Sequence, residues 1–231
     1  MKKIVFIVGI LCGYWGQSQI NPPGGYKPYD RISAEVMLGY HVPLSPGNGI
    51  HKFDYAGFKH FDIGGRFMFN QLFGLKGNYV YDRFEDRNNR DMGNTYNRIG
   101  VEAVFNFLRV LDVHQYYLEK YAILVHGGLG LTLAYPDSRK VSANRGLNLF
   151  KNDRNERLGS IIFGVTPTMR LNDVLALALD MTMNSGTAQQ YGYDGETVFP
   201  DYRDKTVGTY MTFSVGLQFS IGQYRRHADY Y

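Results

Sequence analysis

Apolar residues recur at every second position in eight stretches of the chain, each about nine to thirteen residues long, the spacing of a β-strand with two unlike faces. The first stretch, "AEVMLGYHV" (34–42), puts Val36, Leu38, Tyr40 and Val42 on one face and Glu35, Met37, Gly39 and His41 on the other. "FDIGGRFMF" (61–69) and "GLKGNYVYD" (74–82) follow. In "NRIGVEAVFNF" (97–107), Ile99, Val101, Ala103, Phe105 and Phe107 oppose Arg98, Gly100, Glu102 and Asn106. "YAILVHGGLGLTL" (121–133), "GSIIFGVTPTMR" (159–170), "VLALALDMTMNSG" (174–186) and "YMTFSVGLQFSI" (210–221) complete the series.

The connections alternate too. Residues 70–72 and 171–173 are short turns and 108–120 is intermediate, whereas 43–58, 83–96, 134–158 and 185–208 are long, polar and rich in Gly, Asn and Asp. Long loops at one end and shorter turns at the other predict an all-β, antiparallel up-and-down barrel of eight strands over 32–222. Strands of this length suit a tilted crossing of a bilayer.

The start of the chain changes the picture. Met1-Lys2-Lys3, the apolar run Ile4 to Leu11, and Gly16-Gln17-Ser18 read as a secretory signal peptide over 1–18. No stretch approaches the roughly 18 apolar residues of a spanning helix. Cys12, the single cysteine, falls inside that signal, so the exported chain has neither a disulfide nor a thiolate metal site. Abundant Tyr, Phe and Gly with sparse Pro favour strands and turns. The net charge of +4 is spread among acids, which argues against a nucleic-acid partner.

Alternation alone fits two opposite barrels. A soluble, lipocalin-like barrel encloses its apolar face around a ligand, and a membrane barrel turns that face to lipid. The polar face decides between them. Gly64, Gly100, Gly128, Gly130, Gly164, Ala176, Ala178 and Gly216 are too small to clothe a soluble exterior but fit a crowded lumen. The apolar face is almost free of charge, as expected where a mid-bilayer Lys or Arg costs about 2 to 4 kcal/mol.

The quoted strands, together with "FDIGGRFMFNQLFGLKGNYVYDRF", "NRIGVEAVFNFLRVLDV", "GVTPTMRLNDVLALALDMT" and "SVGLQFSIG", resemble the eight-stranded transmembrane domain of OmpA-family proteins of Bacteroidota outer membranes. The resemblance implies an integral outer-membrane barrel with both termini in the periplasm. OmpA-family proteins typically continue into a periplasmic domain that grips peptidoglycan through an Asp and an Arg. No such domain follows Gly222 in this sequence, so that role is not expected of it.

Candidate chemistry lies mainly on the polar face. Glu35, Asp62, Glu102 and Asp180 against Arg66, Lys76, Arg98 and Arg170 predict a lumenal charge network that plugs the barrel, centred on Arg66, Lys76, Glu102 and Glu35. Arg170 or Lys76 is the expected cation for Asp180. The histidines show no paired metal-ligand spacing. Asp194, Glu196, Asp201 and Asp204 could hold calcium, but the EF-hand spacing is missing and solvated loop charge is the simpler account. Neither metal nor cofactor is expected, and no catalytic residue is assigned.

The loop 138–157 carries Arg139, Lys140, Arg145, Lys151, Arg154 and Arg157, suited by charge to lipopolysaccharide phosphates. The leader 19–31 and the tail 223–231 read as polar periplasmic ends, the tail either hanging free or docking a partner. Three function classes remain: a structural or accessory subunit of an outer-membrane complex such as barrel-assembly or secretion machinery, a lipid-modifying enzyme or small-solute pore, and a soluble binding barrel. The first is the expectation.

Overall fold

The eight alternating stretches form eight strands, and each pairs antiparallel with the next until the last closes on the first. A computed structural model describes residues 28–46, 51–88, 92–111, 114–138, 156–195 and 206–230. The strands are β1 (Ile32–Ser45), β2 (Gly57–Met68), β3 (Phe73–Glu85), β4 (Met92–Asn106), β5 (Tyr121–Ser138), β6 (Glu156–Arg170), β7 (Leu175–Gln189) and β8 (Thr206–Ile221). Closure leaves no unpaired sheet edge, which is how a barrel satisfies its backbone without solvent.

The strands run further toward the long loops than alternation predicts. β4 begins at Met92 rather than 97, and β5 continues to Ser138. Polar residues such as Asn94 and Thr95 still join the ladder, opposite Pro136 and Tyr135, because pairing is a backbone property. At the other end the turns are tight. Asn70 closes β2 to β3 by accepting the backbone N–H groups of Leu72 and Phe73, and Asn172 does the same for Val174 and Leu175 between β6 and β7. The third connection, 107–120, contains two short helices, α1 (Phe107–Val110) and α2 (Gln115–Leu118).

The two faces separate cleanly. Leu38, Ile99, Val101, Leu129, Leu131, Phe163, Leu179 and Val215 point outward and are exposed, Leu131 by 73%. Their neighbours Glu35, Lys76, Arg98, Glu102, His126 and Asp180 point inward and are buried. This inversion removes the soluble, ligand-enclosing alternative, which needs the apolar set inside.

Side-chain volume fixes the interior packing. A Cβ on Gly164 would strike the imidazole of His126 and the hydroxyl of Thr182, and one on Gly216 would strike Met37 and the Val36 carbonyl. Small residues on the inward face are thus the space that the charged side chains occupy.

Candidate functional site

The barrel interior gathers charged and ionisable residues from six strands, β1 to β5 and β7, into connected groups. Seven of the eight residues assigned to the lumen by their alternation are buried there: Glu35, Asp62, Arg66, Lys76, Arg98, Glu102 and Asp180. Near the middle, Lys76 of β3 forms an ion pair with Glu35 of β1 and lies 3.7 Å from Asp62 of β2. Asn78 donates to the same Asp62 oxygen at 3.2 Å.

His126 of β5 joins the next group. Its Nδ1 meets Glu102 of β4, and its Nε2 lies 3.0 Å from Oδ1 of Asp180 on β7. Thr166 and Thr182 each donate to Asp180 at 2.6 Å. Asp180 therefore meets an imidazole and two hydroxyls, not Arg170 or Lys76. Arg170 is the eighth predicted member, and it leaves the lumen. As the last residue of β6 it turns to Asp173 in the adjoining turn, where its side chain is partly exposed.

Toward the long loops, Asp82 of β3 collects three partners that sequence spacing did not signal. The Nδ1 atoms of His60 and His41 lie 2.8 and 3.2 Å from its Oδ1, and the Tyr210 hydroxyl donates to Oδ2 at 3.1 Å. Above this group the ring of Phe84 packs against Tyr193, Tyr96 and Tyr210 at centroid separations of 4.6, 5.1 and 5.2 Å. Tyr193 donates to the carbonyls of Ser45 and Thr209, and burial holds its hydroxyl well above the ordinary phenol range.

The opposite mouth is filled by residues after the last strand. The tail does not hang free. Asp229 enters the barrel and pairs with Arg66, and its carbonyl accepts from Asn106 at 3.1 Å. The Tyr230 hydroxyl donates to Thr168 at 2.9 Å, and His227 donates from Nε2 to the Val174 carbonyl at 2.7 Å. The described end of the leader, residues 28–31, folds in as well: Asp30 accepts backbone N–H groups of Tyr224 and Arg226 at 3.0 and 3.1 Å, and its own N–H bonds the Arg226 carbonyl at 2.8 Å. Burial lowers the His227 pKa below that of a free imidazole, Arg66 and Arg170 adding to the effect and Asp229 opposing it.

This arrangement is suited to filling a barrel. The space bounded by His60, Asp62, Lys76, Arg98, Glu102 and His126 holds no cavity wide enough for a water molecule. Among the described residues, no group of His, Cys, Asp and Glu has metal-binding geometry. Arg157 lies at the start of β6 and is exposed, whereas Arg139, Lys140, Arg145, Lys151 and Arg154 fall outside the described residues, as do Glu196, Asp201, Asp204 and the signal segment 1–18.

No family model matches the sequence, and no curated protein matches it. Solved structures do resemble the fold. Neisserial surface protein A is 14% identical, with a TM-score of 0.52 over 84% of this chain and 99% of that one. Ail, the attachment invasion locus protein of Yersinia pestis, is 16% identical, with a TM-score of 0.45 over 83% and 100%. The outer membrane protein OprG from Pseudomonas aeruginosa is 6% identical, with a TM-score of 0.49 over 86% and 100%. At these identities the likeness is one of fold: a closed, eight-stranded antiparallel barrel of the kind found in outer membranes.

Proposed function

We propose that this chain is an integral outer-membrane barrel of OmpA-like type, non-enzymatic and plugged by its own side chains, that serves as a structural or accessory subunit of an outer-membrane protein complex. The observation that carries the reading is the pairing of an exposed apolar wall with a buried, charged and filled interior. Only a lipid surround makes both halves of that arrangement favourable.

The short-turn end, where Asp30 meets Tyr224 and Arg226, faces the periplasm in this reading. The long loops then face outward, and the basic loop 138–157 meets lipopolysaccharide phosphates. A small-solute pore is disfavoured because the space bounded by His60, Asp62, Lys76, Arg98, Glu102 and His126 does not admit a water molecule. A plugged barrel has no transport to perform, which leaves its loops, its ends and its outer wall as the working surfaces.

The test is retrieval of the protein from detergent-solubilised outer membrane, followed by mass spectrometry. A larger barrel or secretion component retained in constant ratio supports the subunit role, and recovery of the barrel alone overturns it. Large, stable single-channel conductance after reconstitution would overturn the plugged state.

A further inference from the structure

Residues 227–230 are buried inside the short-turn mouth, yet the stretch that carries them there, 222–225, is exposed along its length. The mouth is built around this segment as a receptor is built around a peptide. Tyr230 fills a socket between Val104, Leu124 and the small side chains of Ala122 and Ala176, and Ala228 packs with Tyr29 and Met68. Arg66, braced by its Nε on Ser33 Oγ at 3.3 Å, takes the Asp229 carboxylate. Asp30 and Asn106 hold the backbone at Arg226 and at Asp229. Side-chain pockets joined by main-chain bonds are the elements of peptide recognition.

The fit is incomplete when the segment comes from the same chain. Only Nη2 of the Arg66 fork meets the carboxylate: among the described residues, Arg66 Nη1, Asp229 Oδ1 and Asn106 Oδ1 are buried with no hydrogen-bond partner. An arginine and a carboxylate frequently close two parallel bonds. The tether also bends through Arg225 at φ of 51°, a left-handed conformation that strains a residue with a Cβ. A segment delivered from another molecule carries neither constraint.

We propose that this mouth is a binding site for a peptide segment with an acidic residue followed by a tyrosine, and that its occupant in the membrane is residues 226–230 of a second copy of this chain. The second copy follows from placement. The tether leaves the end of β8, and its receptor Asp30 lies just before β1, the strand paired with β8. Two barrels that abut through β8 and β1 about a two-fold axis set each tether opposite the other's Asp30, and the contacts made in trans are those made in cis. Packed sheets lie about 10 Å apart and four extended residues span about 14 Å, so 222–225 bridge the two rims. The side-by-side arrangement rests on the membrane reading given above.

The test co-folds two forms of the full chain, both with Cys12→Ser, into phospholipid vesicles, and then oxidises them. One form carries Met68→Cys and the other Ala228→Cys, positions that pack together. A single chain with both substitutions reports docking in cis. Barrel formation is followed by heat-modifiable electrophoretic mobility, and the linked positions are identified by mass spectrometry.

The expected result is a disulfide that joins position 68 of one chain to position 228 of the other. Arg66→Met in the first form, or Asp229→Asn in the second, should cut that product by roughly tenfold, the effect of one lost charge-assisted bond. A 68–228 link within the doubly substituted chain, with none between the mixed chains, overturns the exchange by showing that each segment stays in its own barrel. A link that Arg66→Met and Asp229→Asn both leave undiminished overturns the binding site. Either result leaves the membrane reading standing, whereas chains that stay folded in solution without vesicles or detergent overturn that reading itself.

Discussion

His126 stands 3.0 Å from Asp180 across the barrel interior, 54 residues away in sequence, while its other ring nitrogen meets Glu102. One imidazole therefore joins β5 to both β4 and β7. Replacing it takes the imidazole from two buried carboxylates, Glu102 and Asp180, and removing one member of a buried charged group costs about 3 to 5 kcal/mol. His126→Ala should lower the urea midpoint of the reconstituted barrel accordingly. A change within about 0.5 kcal/mol, the range of ordinary surface substitutions, would show that the contact holds nothing together.

Arg66 and Asp229 pair with both side chains almost wholly buried, and they make the plug measurable. In a double-mutant cycle with Arg66→Met and Asp229→Asn, the coupling should reach about 0.5 to 3 kcal/mol, the range for contacting residues. The same variants should expose the tail. Trypsin cleavage after Arg225, which is exposed with φ of 51°, should quicken in Asp229→Asn while the strands stay protected.

The docked tail should loosen in acid. Burial lowers the pKa of His227, so the unfolded or undocked form takes up a proton before the docked form does. The stabilisation contributed by neutral His227 is complete above the free imidazole value of about 6.5 and is lost as pH falls through the lower docked value. Proteolysis of the tail by an acid-tolerant protease should accelerate over that window. His227→Gln, which can still donate to the Val174 carbonyl, should flatten the profile.

Glycines on the two faces should respond differently. Gly164→Val drives side-chain atoms into His126 and Thr182 and should destabilise the barrel by about 1 to 3 kcal/mol. Gly77→Ala, where an added Cβ meets nothing within 4 Å, should stay within about 0.5 kcal/mol. Equal losses in chemical denaturation would mean that backbone freedom, not interior space, keeps glycine at 164.

The outer wall should reject charge. With the barrel reconstituted in bilayers, Leu131→Arg should cost about 2 to 4 kcal/mol, the mid-bilayer penalty on the lipid face. A stability unchanged from the parent would place Leu131 in water.

Strand number and strand facing were legible because alternation is local. Ile99 and Arg98 announce opposite faces as neighbours in the chain. Depth was not legible, and Arg170 shows why: alternation assigns it to the inward side, but it is the final residue of β6, free to turn to Asp173. The role of His126 was equally hidden, since its partners lie 24 and 54 residues away and only the pairing register brings them together. The tail reads as a loose polar end because Arg66 and Thr168, which receive Asp229 and Tyr230, sit in distant strands.

Asp30 has a practical consequence for anyone who handles this protein. By holding the backbone of Tyr224 and Arg226, it brings the segment that precedes the barrel and the segment that follows it to one mouth. A fluorophore placed beside Asp30 and one placed beside Arg226 report from the same mouth, so labelling both positions gives a single piece of topological information. The opposite side must be probed through a long loop.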